Sequence, residues 1–200
     1  MRTVTVTGQG EARLAPDSAV VRVSAVHTAS GAAEALAGAD NAAAAIAATA
    51  RGFTTPERIG STSLQIWRDH DQSGRPTGFS ARHSLVLRCP DIAAAGGLVT
   101  ALAEAVGDRL EIEGVSLEVS DQSAASAAAR EAAYADAVDR ATHLAGLASA
   151  QLGEPQQVTE GGVVGGGPAR MAKVSAQSDA TFQPGETAVG ASVTVTFQLR

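Results

Sequence analysis

Gly8-Gln9-Gly10 is the first stretch whose residue types and spacing could do chemistry. Two glycines one residue apart open the fingerprint that lets a backbone approach a pyrophosphate. That fingerprint needs a third glycine and then a helix whose N-terminus faces the phosphates. Arg13 stands at the third position, and after Pro16-Asp17 the pattern is that of a strand. The pair is therefore expected to form a tight or bulged turn between two strands, using the freedom of glycine at positive φ. A second glycine cluster, GGVVGGGP at residues 161–168, lacks the lysine and Ser/Thr that end a phosphate loop. It reads as a flexible linker, with a flap over a pocket as the alternative.

Asp69-His70-Asp71 is a tight cluster of metal-ligand types. Adjacent residues in an extended turn rarely converge on one ion, so a solvated hairpin tip is expected, with no metal and no cofactor. His83 falls on one strand face with Ala81, Leu85, Leu87 and Cys89. It is expected to be a core histidine held by a backbone carbonyl. Cys89 lies too far along the strand to pair with it as a nucleophile, and reads as a small buried hydrophobe. Farther on, Asp136 and Arg140, and Asp139 and His143, are spaced to meet on a helix surface. Trp67 and Phe79 flank one hairpin turn, where packing under the turn is expected; an exposed aromatic contact with another subunit is the alternative. No catalytic residue stands out.

These residues are carried on a regular succession of elements. Residues 3–7 and 19–28 alternate as strands. Ser30 offers a cap to a helix that Gly52 stops. Strands follow at 58–68 and 79–89, joined by the polar turn DHDQSGRPTG. Asp91 caps a second helix, which ends at Gly107. A strand at 110–120 precedes a long third helix from Ser123 to Leu152. A short strand at 156–160, a poorly patterned segment at 161–190 and a strand at 191–199 complete the chain. The order ββαββαβαββ, with its hairpins, predicts an α+β fold of mainly antiparallel strands and three helices, as one domain over residues 1–200.

The apolar fraction is 44%, but much of it is alanine and only 3% of residues are aromatic, so each helix buries little area. The net charge of −6, with scattered arginines, disfavours nucleic-acid binding. One cysteine excludes an intrachain disulfide. The absence of an apolar signal core or membrane-length run predicts no membrane insertion. A cytoplasmic location is expected, or a periplasmic or secreted one if a leader has been removed.

Four stretches then carry a resemblance. TVTGQGEARLAPDSAVVRVSAV, with Gly8, Gly10, Pro16, Asp17 and Ala19, resembles the opening of the SIMPL-domain family. TGFSARHSLVLRCPDI, the alanine-rich segment ending in leucine-glycine, and FQPGETAVGASVTVTFQL are similar to its later motifs. The family is mostly bacterial, and many members are exported. Some are linked to oxidative-stress protection, one forms a large ring-like oligomer, and an animal member binds a signalling kinase. It has no agreed catalytic residues. The resemblance implies a non-enzymatic, self-associating interaction or scaffold protein, linked to stress protection. A small-molecule module with a glycine-rich flap closing near His83 or Trp67 is the alternative, and a metal-dependent hydrolase has least support.

Overall fold

The computed structural model describes residues 2–161 and 182–200. Most of the expected glycine-rich segment, at 162–181, lies outside the described residues. The elements follow the predicted order. They are β1 (Thr3–Leu14), β2 (Ser18–Ala29), α1 (Ala32–Ala50), β3 (Ile59–His70), β4 (Pro76–Cys89), α2 (Ile92–Val106), β5 (Leu110–Glu118), α3 (Ser123–Leu147), β6 (Leu152–Glu160) and β7 (Thr187–Leu199). Two antiparallel sheets result, with strand orders β1-β7-β6 and β3-β4-β2-β5. The fold is α+β, as expected. Contacts divide the chain into two compact units, one of residues 2–16, 119–161 and 185–200, the other of residues 17–118 and 182–184.

In the larger unit, α1 and α2 cover one face of the four-stranded sheet. Val21 and Val23 on β2, Leu85 and Leu87 on β4, Ile46 on α1, and Leu98 and Leu102 on α2 form its core. Alternation puts these strand residues on one face, and helical spacing does the same for Ala35, Ala39, Ala42, Ala43 and Ile46. Asp91 caps α2 as predicted, its Oδ1 accepting from the Ala94 amide at 2.6 Å. Gly107 closes α2 at φ 62°, a conformation that favours glycine. Ser30 does not cap α1. Gly31 holds that position without a side-chain bond, and Ser30 instead reaches Glu34 at 3.5 Å.

The smaller unit corrects the reading of Gly8-Gln9-Gly10. The two glycines do not turn the chain. They lie inside β1, which runs unbroken to Leu14, and among the described residues positive-φ glycines occur only at 74, 78 and 107. Val4, Val6, Gly8, Gly10 and Ala12 point to one face of β1, and α3 lies on that face. A Cβ on Gly8 would stand 2.0 Å from the Ala133 carbonyl oxygen and 2.5 Å from the Ala137 nitrogen. On Gly10 it would stand 2.2 Å from the Ala129 oxygen. The glycines therefore remove side chains so that a helix backbone can touch the strand. The helix reciprocates with alanines at every fourth position, Ala125 to Ala145, all buried. That row is an i±4 ridge, inclined about 26° to the helix axis.

Polar side chains of α3 then close the outer edge of β1. Asp136 Oδ2 accepts from the Gln9 amide at 2.8 Å, and Arg140 donates to the Thr7 carbonyl at 3.3 Å. The two side chains also bridge each other at 2.9 Å. Gln9 and Thr7 turn these groups away from β7, where they would otherwise form an open edge. The Gln9 amide, aided by Arg140, holds the Asp136 carboxyl below its ordinary value. A depressed carboxyl contributes stability that is present above the unfolded-state value, near 4, and lost as pH falls through the folded one. Asp136→Asn should therefore flatten the acid limb of the thermal stability profile, which a melting series between pH 7 and 3 would measure.

Three boundaries also differ from expectation. The third helix stops at Leu147 rather than Leu152, because the chain passes through Ser149 at φ 51°. β6 consequently starts at Leu152 rather than Gln156. β7 starts at Thr187, so residues 187–190 are strand rather than loop.

Candidate functional site

The larger unit brings together three residues that the sequence keeps far apart. Asp40 comes from α1, Ser61 from the start of β3, and His83 from β4. The register places Ser61 opposite Leu85 and Leu64 opposite His83, with an irregularity between Ser61 and Ser63. This bulge leaves Thr62 as an extra residue and re-aims the strand beside Ser61. His83 Nδ1 lies 3.0 Å from Asp40 Oδ1, and His83 Nε2 lies 2.8 Å from Ser61 Oγ. The helix can approach because Ala43, Ala44 and Ala47 present only methyl groups beside Asp40. A cleft of about 500 Å³ opens there, lined also by Arg51, Pro56, Ile59 and Leu85.

The chemistry of these partners assigns the protons. An ionised carboxylate only accepts, so Asp40 takes the Nδ1–H of His83, and in the neutral imidazole Nε2 is the remaining acceptor. Nε2 then has a free lone pair and accepts from the Ser61 hydroxyl. A carboxylate-oriented imidazole that polarises a hydroxyl is the arrangement of activated serine nucleophiles. The expectation for His83 is corrected in its partner. It sits on the predicted face, but it is held by two side chains rather than by a backbone carbonyl.

The other expected residues are placed separately. Trp67 pairs across the ladder with Ser80, and Phe79 with Arg68, so the two aromatics occupy opposite sheet faces and do not form a pair. Phe79 packs against the cluster of Ala35, Ala39 and Ala81, with the Arg68 guanidinium 5.0 Å above its ring. Trp67 is 40% exposed. Cys89 is buried, and burial together with the Asp91 carboxylate pushes its thiol up to about 11. Asp71 folds back on its own turn, its Oδ1 accepting from the amides of Ser73 and Arg75 at 2.8 and 2.9 Å. Asp69 turns instead to the Ser80 hydroxyl at 2.6 Å. Among the described residues, no three of His, Cys, Asp and Glu come together as a metal site. No described helix is long and apolar enough to cross a membrane.

Among the described residues four strands end the two sheets, and three of them are blunted along their length. β1 is closed by Asp136 and Arg140. β6 carries Pro155 and two register irregularities. β5 carries Glu111, Glu113 and Glu118 and a bulge opposite Arg22 and Val23. The fourth, β3, is twelve residues long, has no charge between Gly60 and Trp67, and exposes Leu64 (50%), Ile66 (46%) and Trp67. Long, uncharged, apolar edges are templates for pairing with another chain.

The described residues form an α+β fold of two antiparallel sheets, with an apolar edge at β3 and a polar cleft beside His83. The chain matches the SIMPL family model, described as a protein of unknown function (DUF541), over residues 4–197, and it belongs to that family. A comparison with curated proteins returned no match.

Proposed function

We propose that this chain is an interaction or scaffold protein that self-associates through β3. The observation that supports this reading is the contrast among the four sheet edges: among the described residues, β3 alone keeps a regular, uncharged and apolar run, Ser63 to Trp67, between its irregularities at Ser61/Ser63 and Asp69/His70. A second copy is the natural occupant. A two-fold axis through Gln65 sets Leu64 of one chain opposite Ile66 of the other, so the edge is complementary to itself. Association of this kind needs no turnover. A role in oxidative-stress protection would rest on such binding rather than on Cys89, whose thiol is buried and kept protonated. Light scattering over a concentration series tests the reading: a mass above 20.0 kDa at micromolar protein supports it, and a strict monomer opposes it.

The cleft beside His83 favours a second reading, a small-molecule site. Apolar walls with a few convergent polar groups are what such sites present, and here Asp40, Ser61 and His83 converge, with Arg51 elsewhere on the lining. Arg51 makes a small carboxylate the fitting ligand class. Millimolar butyrate should raise the melting temperature, as any ligand that binds only the folded state does.

A further inference from the structure

Within that cleft, and resting on the reading of it as a small-molecule site, we propose a serine acyl hydrolase centre. Ser61 is the nucleophile, His83 its general base, and Asp40 the residue that positions His83. Three observations converge. The two hydrogen bonds, at 2.8 and 3.0 Å, run in series through opposite nitrogens of one imidazole. The carboxylate fixes the tautomer that leaves Nε2 free to take a proton. Ser61 is exposed at the cleft wall rather than sealed in the core, so a substrate carbonyl can reach its oxygen.

The step balances without a co-reactant other than water. Ser61 Oγ forms a bond to the carbonyl carbon of a carboxylic ester while its proton passes to His83 Nε2. The tetrahedral intermediate collapses with cleavage of the ester C–O bond, and the imidazolium returns the proton to the departing alkoxide. Water then attacks the acyl-serine with His83 again as base, releasing the acid and restoring Ser61. Arg51 is the cation of the lining. The walls set the substrate class. Ala43, Ala44, Ala47, Ile59 and Leu85 leave room for a short aliphatic acyl group in a cleft of about 500 Å³.

A structural staple between α1 and the sheet would show the same two hydrogen bonds, so the test must read reactivity. The purified chain is treated with a fluorophosphonate and its hydrolysis of 4-nitrophenyl butyrate is followed. Peptide mass spectrometry should place the label on Ser61. Ser61→Ala should abolish labelling and lower the hydrolysis rate about 100-fold or more, and His83→Ala should do the same. Asp40→Asn should slow labelling while leaving Ser61 in place. Ser63→Ala, one residue beyond the bulge, should change neither. If His83→Ala fails to fold, Ser61→Ala decides alone, since its side chain is exposed. A butyrate-dependent rise in melting temperature without labelling of Ser61 would overturn the nucleophile and leave the cleft as a binding site. Neither a shift nor labelling would overturn both.

Discussion

Replacing Gly8 with alanine should lower stability by about 3 kcal/mol or more, the upper end of what overpacking costs. For a chain of 200 residues this corresponds to a fall in melting temperature of roughly 6–12 °C. The reason is the identity of the atoms that the new methyl would meet. The Ala133 carbonyl oxygen and the Ala137 nitrogen, at 2.0 and 2.5 Å, belong to the helix backbone and cannot rotate aside. α3 would have to lift from β1, which would also draw Asp136 and Arg140 away from Gln9 and Thr7. Trimming the helix with Ala137→Gly should not rescue the variant, because the two nearest clashing atoms are main-chain atoms that remain. Gly114→Ala provides the contrast. It lies in β5, where an added methyl would meet nothing within 4 Å, and should change stability by no more than about 0.5 kcal/mol. Thermal melts of the three variants beside the parent chain would measure these differences.

Ile66→Lys should dissociate the assembly by about 100-fold in its midpoint concentration. Ile66 is 46% exposed in the isolated chain, so association can bury only about half of each side chain. Two such residues, at about 1.5–3 kcal/mol for full burial, supply roughly 2 kcal/mol. Two lysines brought together at the strand centre add repulsion, and about 2.7 kcal/mol is a hundredfold change. The fold should survive, because Ile66 does not belong to a buried cluster. Val158→Lys tests specificity: Val158 is 55% exposed on β6, a blunted edge, and its replacement should leave the assembly intact. Sedimentation of both variants against the parent distinguishes an edge-specific contact from general loss of apolar surface.

Much of this architecture could be read from residue pattern. Alternation around Val193 and Val195 marked a strand that buries one face, and the apolar run around Val21 and Val23 marked one whose opposite face also buries Val20 and Ser24. Asp91 and Gly107 marked the ends of α2 because their local chemistry is specific. Gly8 and Gly10 were misread because a glycine signals either an unusual φ or a close approach, and the two look alike in sequence. The distinguishing signal was the alternation of Val4, Val6, Gly8, Gly10 and Ala12, together with the alanines at every fourth position of α3. The candidate site was less legible. The sheet face of His83 followed from alternation, but its partners did not. Asp40 and Ser61 lie 43 and 22 residues from it, and only the β3–β4 register and the seat of α1 bring them within hydrogen-bond reach. The open edge was hidden for a related reason, since which strand ends a sheet depends on strand order.

The reading of this chain as a self-associating protein rests on the outward backbone of β3, and hydrogen exchange reports on that backbone directly. Amide exchange of residues 60–67 should be followed from nanomolar to high micromolar protein. Our account predicts that alternate amides of this stretch exchange quickly when dilute and become protected as concentration rises, while the amides of β4 stay protected throughout. Fast exchange of the same β3 amides at every concentration would contradict it.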